Sequence, residues 1–416
     1  MQSLLLAKTK KEWLFIILFF IFIFISNIIF EYYKYKTITK DEIYTTNAKI
    51  INIYQKDNYD ILKLSNTKFL FFTSTNKNSF IKNQYINITF LSNNISFLSY
   101  LKGFYANSFN LSKINHKKTI HNLLESYITN QHNNKSISSL FNALFLAIPL
   151  DKYVQNIISA YGISHLIAIS GFHLGVLAFL LYFILNLLYK PIHQKYFPYR
   201  NKKYDLLILS SILIFSYLCL LSNQAPLLRA FVMYIFAIFA LRSNIKLLSF
   251  NTLFLCFLFI ISLFPNLLFS ISFWFSICGV FYIFLFLQYF KSRNKIFTFI
   301  FLNIWLYLSI NPISHIYFPT TSIYQLFSPF ITMAFTLFYP LELFLHIFNI
   351  GDIFDNIINI FIQQNIPVSN ISTNIYFLIL YLITSIFSIK SKKAFILLNL
   401  LIIIFNIYLY TSYKIV

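Results

Sequence analysis

Glycine, cysteine and acidic side chains are scarce in this 416-residue chain, which has six Gly, three Cys and twelve Asp and Glu together. Cys219, Cys256 and Cys278 all lie inside apolar runs, which excludes a disulfide framework and a Cys-x-x-Cys metal site. The eight histidines form no H-x-H-x-D-H-like metal cluster, and no cofactor is expected. A G-x-x-x-x-G-K-[ST] phosphate loop is missing too, which leaves any ATP-driven step to another protein. Charge itself is sparse: 11% of residues are charged against 58% hydrophobic, with a mean hydropathy of +0.67, and this excludes an ordinary soluble domain. The expected fold class is a polytopic α-helical membrane protein.

The 52 Phe and 30 Tyr accompany many Ile, Asn and Lys, all residues with A/T-rich codons, so aromatic richness alone says little about base stacking. The net charge of +21 informs through its distribution, because membrane proteins gather Lys and Arg in cytoplasmic loops. Residues 13–30, "WLFIILFFIFIFISNIIF", carry no charge and are long enough to cross a bilayer. They follow Lys8, Lys10 and Lys11, which places the N-terminus in the cytoplasm, and lack an A-x-A-like cleavage site, so they read as an uncleaved anchor. Residues 1–43 are thus tail, anchor and linker. Residues 44–112 change character: "AKIINIY", "YDILKL", "KFLFFT", "YINITFL" and "GFYANSF" are β-branched and aromatic runs between Asn, Asp, Lys and Ser turns. Five short strands predict a small external β-barrel of OB type. Residues 31–118 hold thirteen Lys and Arg against five Asp and Glu, a net +8 that reads equally as codon bias and as an electrostatic footprint for an anionic polymer.

Residues 113–416 read as a transmembrane domain. "SISSLFNALFLAI", before Pro149, is too short for a span and reads as an interfacial or re-entrant helix. Spans are expected near 164–189, 204–222, 225–241, 247–264, 270–290, 296–311, 374–389 and 394–413. Basic clusters at 190–203, at Arg242 and Lys246, at Lys291, Arg293 and Lys295, and at Lys390, Lys392 and Lys393 alternate with loops at 265–269, 312–321 and 349–373 that hold no Lys or Arg. Strict alternation follows if 322–348, interrupted by Pro329 and Pro340, is a re-entrant or broken helix pair without a net crossing. The architecture expected is about nine transmembrane helices plus this pair.

The stretch 162–185, "GISHLIAISGFHLGVLAFLLYFIL", begins with three glycines, two serines and two histidines. If 164–175 is helical, Ser164, Ala168, Gly171 and Gly175 form a stripe that permits close helix contact, with Ser170 and His173 adjacent on another face. Polar groups at membrane depth face protein, water or a polar ligand, so these residues either hold helices together by hydrogen bonds or line a path.

The residues "ISHLIAISGFHLGVL" resemble the signature of the ComEC competence family, approximately G-[LI]-[SA]-H-L-L-A-[IV]-S-G-[LM]-H-V. "FLSYLKGFYANSF" at 97–109, "APLLRAFVM" at 225–233 and "LFSPFITMAFTLFYPLEL" at 326–343 resemble further family elements in the same order. There are departures. Pro149, Leu150, Asp151 and Lys152 stand where the family often has Gly followed by an acidic and a basic residue; Trp274 stands for a usual Gln, with Ser276 and Gly279 retained, and Thr332 for a frequent Asn. The resemblance implies an inner-membrane channel that passes single-stranded DNA into the cytoplasm during natural transformation, not an enzyme. It implies an OB-like domain and a C-terminus in the periplasm. The partners implied are single-stranded DNA, membrane lipid, an external DNA receptor and a cytoplasmic DNA-binding or motor protein, with homo-oligomerisation left open. A C-terminal β-lactamase-like domain, carried by many members, is not expected here, so strand degradation is assigned to another protein.

A DNA path needs polar or basic lining, since phosphates do not cross hydrocarbon unshielded. The candidate path residues are Ser164, His165, Ser170, Gly171, His173, Gly175 and Arg229, the last well inside an apolar run. Asp151, Lys152, Ser276, Thr332 and Glu342 are candidate structural or polar partners, with Glu342 expected to pair with Arg229 or Lys152. Phe104, Tyr105 and Phe172 are candidate stacking platforms. Two other classes compete. An intramembrane serine hydrolase would use Ser170 as nucleophile with His315 or His346 from another helix as base. A small-molecule or ion transporter fits broken helices and intramembrane histidine, but leaves the basic external domain unexplained.

Overall fold

The computed structural model describes residues 9–66, 69–77, 79–80, 84–114, 120–167, 171–221, 225–242, 249–290 and 294–413. The protein is mostly helical and divides into two compact units, one of residues 1–119 with 254–274 and one of 120–253 with 275–416.

The first unit is built on a six-stranded sheet of β1 (Ile43–Gln55), β2 (Tyr59–Ser65), β3 (Leu70–Asn76), β4 (Tyr85–Leu91), β5 (Phe104–Tyr105) and β6 (Ser108–Ile114). The order is β5-β3-β2-β1-β4-β6, antiparallel except for the short β3–β5 pair. Side chains alternate across the pleat, so Leu62 and Leu64 on β2 and Ile86, Ile88 and Phe90 on β4 all point into one apolar core. Helix α1 (Lys10–Ile38) is capped by the Thr9 hydroxyl and continues past the expected apolar run, bringing Ile28, Tyr35 and Ile38 onto that core. Helix α2 (Phe97–Lys102) lies between β4 and β5, and the Tyr35 hydroxyl donates to the Ile95 carbonyl beside it. The expected fifth strand is two strands, because the Ala106 amide bonds the Phe72 carbonyl and the chain then crosses to β4. Among the described residues the sheet is open, with β5 and β6 as its edges.

The second unit holds α3 (Ile120–Thr129), α4 (Lys135–Leu146), α5 (Lys152–Ala160), α6 (Ser164–Ile167), α7 (Gly171–Tyr196), α8 (Lys202–Leu220) and α9 (Ala225–Arg242). Helices α10 (Phe250–Leu263) and α11 (Ile271–Tyr289) each contribute to both units; α12 (Lys295–Ser314), α13 (Ser328–Ile347), α14 (Asp355–Ile362), α15 (Ile375–Phe387) and α16 (Lys392–Thr411) complete the second. One core gathers α4 to α9 with α13 and α14; another gathers α11, α12, α15 and α16. Short helix α4 is buried along most of its length and is a core helix rather than an interfacial one.

Seven helices among the described residues are long and apolar enough to cross a membrane: Lys10–Ile38, His173–Tyr196, Lys202–Leu220, Ile271–Tyr289, Lys295–Ser314, Ile323–Ile347 and Lys392–Thr411. Ala230–Arg242, Phe250–Leu263 and Ile375–Phe387 are apolar but shorter. The segment expected to be a broken pair is instead one continuous helix, α13, entered through a 3-10 turn at Ile323–Phe327. Pro329 sits in its first turn, where a missing N–H costs nothing. Pro340 removes one backbone bond, but in apolar surroundings the remaining groups are satisfied only by continuing the helix. If this helix crosses, the loops at 312–321 and 349–373, both without Lys or Arg, fall on opposite sides and the strict loop-charge alternation is lost. Lys246, Lys291 and Arg293 of the basic clusters lie outside the described residues.

Candidate functional site

One face of α13 organises the signature segment. Ser328, Thr332, Phe335, Tyr339, Glu342 and His346 recur at steps of four and three, which aligns them along one stripe of a helix. The Ser328 hydroxyl donates to the Gly162 carbonyl at 3.1 Å, and Gln325 donates to the Ser159 carbonyl at 3.3 Å. Gly162 ends the α5 turn with φ +70°, a left-handed conformation that favours glycine, and a Cβ there would stand 3.2 Å from the Gln325 side chain. One turn further along α13, the Thr332 hydroxyl donates to the Ser328 carbonyl at 2.8 Å. His165 Nε2 lies 3.3 Å from the same hydroxyl oxygen. His173 is buried, its ring edge-on to Tyr339 at 4.6 Å and to Phe335 at 5.6 Å.

Helices α5 and α6 are two-faced. Val154, Ile157, Ile158 and Ala160 enter the core, while Asp151, Lys152, Gln155, Asn156, Ser164 and His165 are exposed. The exposed polar face ends at the His165–Thr332 contact. Gly171 contributes to packing, since a Cβ there would touch the Ala230 methyl at 3.9 Å. Gly175 does not: among the described residues nothing lies within 4 Å of the position its Cβ would take, so the close-contact stripe stops short of it. Ser170 lies outside the described residues, as do the side chains of Phe172 and Arg229. Ser276 is half-buried on α11.

The sequence profile of the family described as Competence protein matches residues 149–413, from just before α5 to the end of α16. The chain belongs to the Competence protein family. That match spans the polar face of α5 and α6, the signature helix α7 and the whole α13 stripe. The Competence protein family is associated with DNA transport rather than catalysis, and its several apolar helices make this member a multi-pass membrane protein. No curated protein and no solved structure matches the chain.

Other expected residues of this Competence family member fall elsewhere. Phe104 is a core residue of the sheet, stacked on Phe71 at 5.6 Å, so its faces are occupied; Tyr105, next to it, is exposed. Lys152 is exposed at the start of α5 and does not pair with Glu342, which is fully buried and has Oε2 3.3 Å from His346 Nδ1; the alternative partner, the Arg229 side chain, lies outside the described residues. Sequence reasoning gave no role to His132 and Asp355, and considered His346 as a hydrolase base only. In the structure His132 Nδ1 lies 2.9 Å from Asp355 Oδ1, and His132 Nε2 lies 3.0 Å from His346 Nε2. Burial pushes His132 below the ordinary histidine value while Asp355 pulls the other way. These partners are 214 and 223 positions apart, and no local pattern announces them. The one available signal is Gly351, one of six glycines: its backbone packs so close that a Cβ would come within 2.7 Å of the His346 ring and of Gln131 Oε1.

Proposed function

We propose that this protein is the inner-membrane channel component that passes single-stranded DNA into the cytoplasm during natural transformation. The observation that carries the reading is the exposed polar face of α5 and α6, which runs through Lys152, Gln155, Asn156 and Ser164 to His165 in a protein whose other exposed helical faces are largely apolar. Such a face suits a hydrated path for a polyanion, with Lys152 for phosphate and amide and hydroxyl groups for sugar and base edges. The open sheet of β1 to β6 acts in this reading as an external, OB-like single-strand platform, with the lysine-rich surface and exposed Tyr105 presented to DNA. The N-terminus is then cytoplasmic and the sheet periplasmic. An external receptor delivers the strand and a cytoplasmic partner draws it in.

The test compares cytoplasmic entry of labelled DNA in a deletion strain carrying wild-type, His165→Ala or His173→Ala protein, with external DNA capture and membrane abundance scored separately. His165→Ala is expected to keep abundance and capture and to lose entry by about tenfold or more. His173→Ala removes a ring packed on Tyr339 and Phe335 and is expected to lower abundance. Normal DNA entry in the deletion strain would sink the proposal.

A further inference from the structure

Four ionisable groups form one row in the second unit. Asp355 Oδ1 and Oδ2 lie 2.9 and 3.1 Å from His132 Nδ1; His132 Nε2 lies 3.0 Å from His346 Nε2. His346 Nδ1 lies 2.8 Å from the Glu342 carbonyl oxygen and 3.3 Å from Glu342 Oε2. The Asp355 side chain is 19% exposed, those of His132 and His346 are 0% and 5%, and Glu342 is buried, with no hydrogen-bond partner for either carboxyl oxygen among the described residues. The row therefore starts at solvent and ends inside the protein.

Counting hydrogens shows what the row can hold. A carbonyl oxygen only accepts, so His346 Nδ1 carries a hydrogen, and the three bonds Asp355–His132, His132–His346 and His346–Glu342 need one hydrogen each. A carboxylate and two neutral imidazoles bring two hydrogens to these three bonds. The third is an added proton, and the geometry accepts it in three places: on Asp355 as a carboxylic acid, on His132 as an imidazolium, or on His346 as an imidazolium. The surroundings suit a transient cation. Phe141 is stacked on His132 at 4.7 Å and lies 4.5 Å from His346, and His346 occupies the last turn of α13, where the helix dipole favours positive charge.

We propose that Asp355, His132, His346 and Glu342 form a proton-binding relay that loads the buried Glu342 carboxyl from water. Water delivers a proton to an Asp355 oxygen; that O–H breaks as the His132 Nδ1–H bond forms. His132 releases its Nε2 proton to His346 Nε2; the His346 Nδ1–H, which rests on the Glu342 carbonyl, turns to Oε2, 3.3 Å away, and releases its proton there. Each transfer breaks one bond to hydrogen and makes one. The Glu342 carboxylic acid then donates back to the vacated Nδ1 lone pair, and unloading follows the same row in reverse. A buried carboxylate with this little hydrogen bonding is costly. Of the other titratable groups on the packed elements, buried His121 of α3 faces the Leu146 carbonyl, its Nε2 3.3 Å away. Tyr127 of α3 donates to the His346 and Ile347 carbonyls, Tyr217 of α8 donates to the Phe145 carbonyl, and Tyr339 packs on His173. Glu125 of α3 accepts from Thr129 through its backbone, and Lys135 and Asp352 are exposed. The relay goes beyond the DNA reading and does not depend on it.

Infrared spectra of the full-length protein in lipid nanodiscs test it. The carboxyl C=O band that disappears in Glu342→Gln belongs to Glu342; in the wild type it should change with bulk pH and shift promptly on transfer to D2O. Asp355→Asn keeps the size of the entry group without its proton, and His132→Gln interrupts the middle of the row. Both are expected to slow the D2O shift by about tenfold or more. A staple with no relay role would lower Tm in Asp355→Asn and leave the D2O shift at the wild-type rate, and that result overturns the proposal. So does a wild-type band that neither titrates nor exchanges. If His132→Gln fails to fold, Asp355→Asn at the partly exposed end decides the matter.

Discussion

In the N-terminal sheet, Leu62, Leu64, Phe71, Ile86, Ile88 and Phe90 are all fully buried and meet one another across adjacent strands, so the core between them is dry. Along α13 the buried positions alternate in chemistry: Phe335 and Tyr339 pack aromatically, while Glu342 and His346 place ionisable groups at the same depth. The sheet core is specified by a period-two pattern within each strand, and hydrophobic burial at about 25 cal/mol per Å² is indifferent to which apolar neighbour is met. The α13 stripe depends on particular partners at fixed distances, because a buried polar group without its partner is penalised. A dry core tolerates repacking but not lost volume; a polar row tolerates neither displacement nor deletion.

The largest expected effect is on the dry side. Phe71→Ala removes a ring that touches Phe69, Phe90 and Phe104, and should destabilise the first unit by about 3–5 kcal/mol. Thermal unfolding, with limited proteolysis at residues 43–114, reads the loss; a wild-type cleavage pattern would mean the sheet core is not what holds this unit. Next comes Gly351→Ala, where one added methyl meets the His346 ring and the Gln131 amide at 2.7 Å. A cost of about 1–3 kcal/mol is expected in the second unit, by the same overpacking that afflicts dense cores. Wild-type Tm in Gly351→Ala would show that the polar row is looser than its distances imply. The smallest effect sharpens the comparison from outside both cores. Gly175→Ala fills open space on a helix and should be neutral or stabilising by up to about 1 kcal/mol, read as Tm and membrane abundance. A clear loss of abundance there would point to a partner surface at Gly175.

Much of this protein was legible as local pattern. The uncharged run after Lys8, Lys10 and Lys11 specifies a long helix, and it became α1; alternation in "YDILKL" and "YINITFL" specifies strands, which became β2 and β4 in the expected places. The signature around His165 and His173 carried the family, which the match over residues 149–413 shows. The site was half legible. Sequence singled out His165, His173, Thr332 and Glu342, yet a periodicity says which residues share a face and not which face meets another. Only the packed structure put His165 on Thr332 and buried His173 against Tyr339. Pro340 shows the same limit, because a proline predicts a break when water is available to satisfy the freed carbonyl, and apolar surroundings remove that option. Composition and local period, set by each segment's own backbone and hydropathy, determined the class of protein, its first helix and its strands. In the row from Asp355 to Glu342 the step between Glu342 and His346 is local to one helix, but the bonds of His132 to Asp355 and to His346 were decided by tertiary structure, because they join segments more than 200 residues apart and exist only when helix packing brings donor and acceptor within about 3 Å.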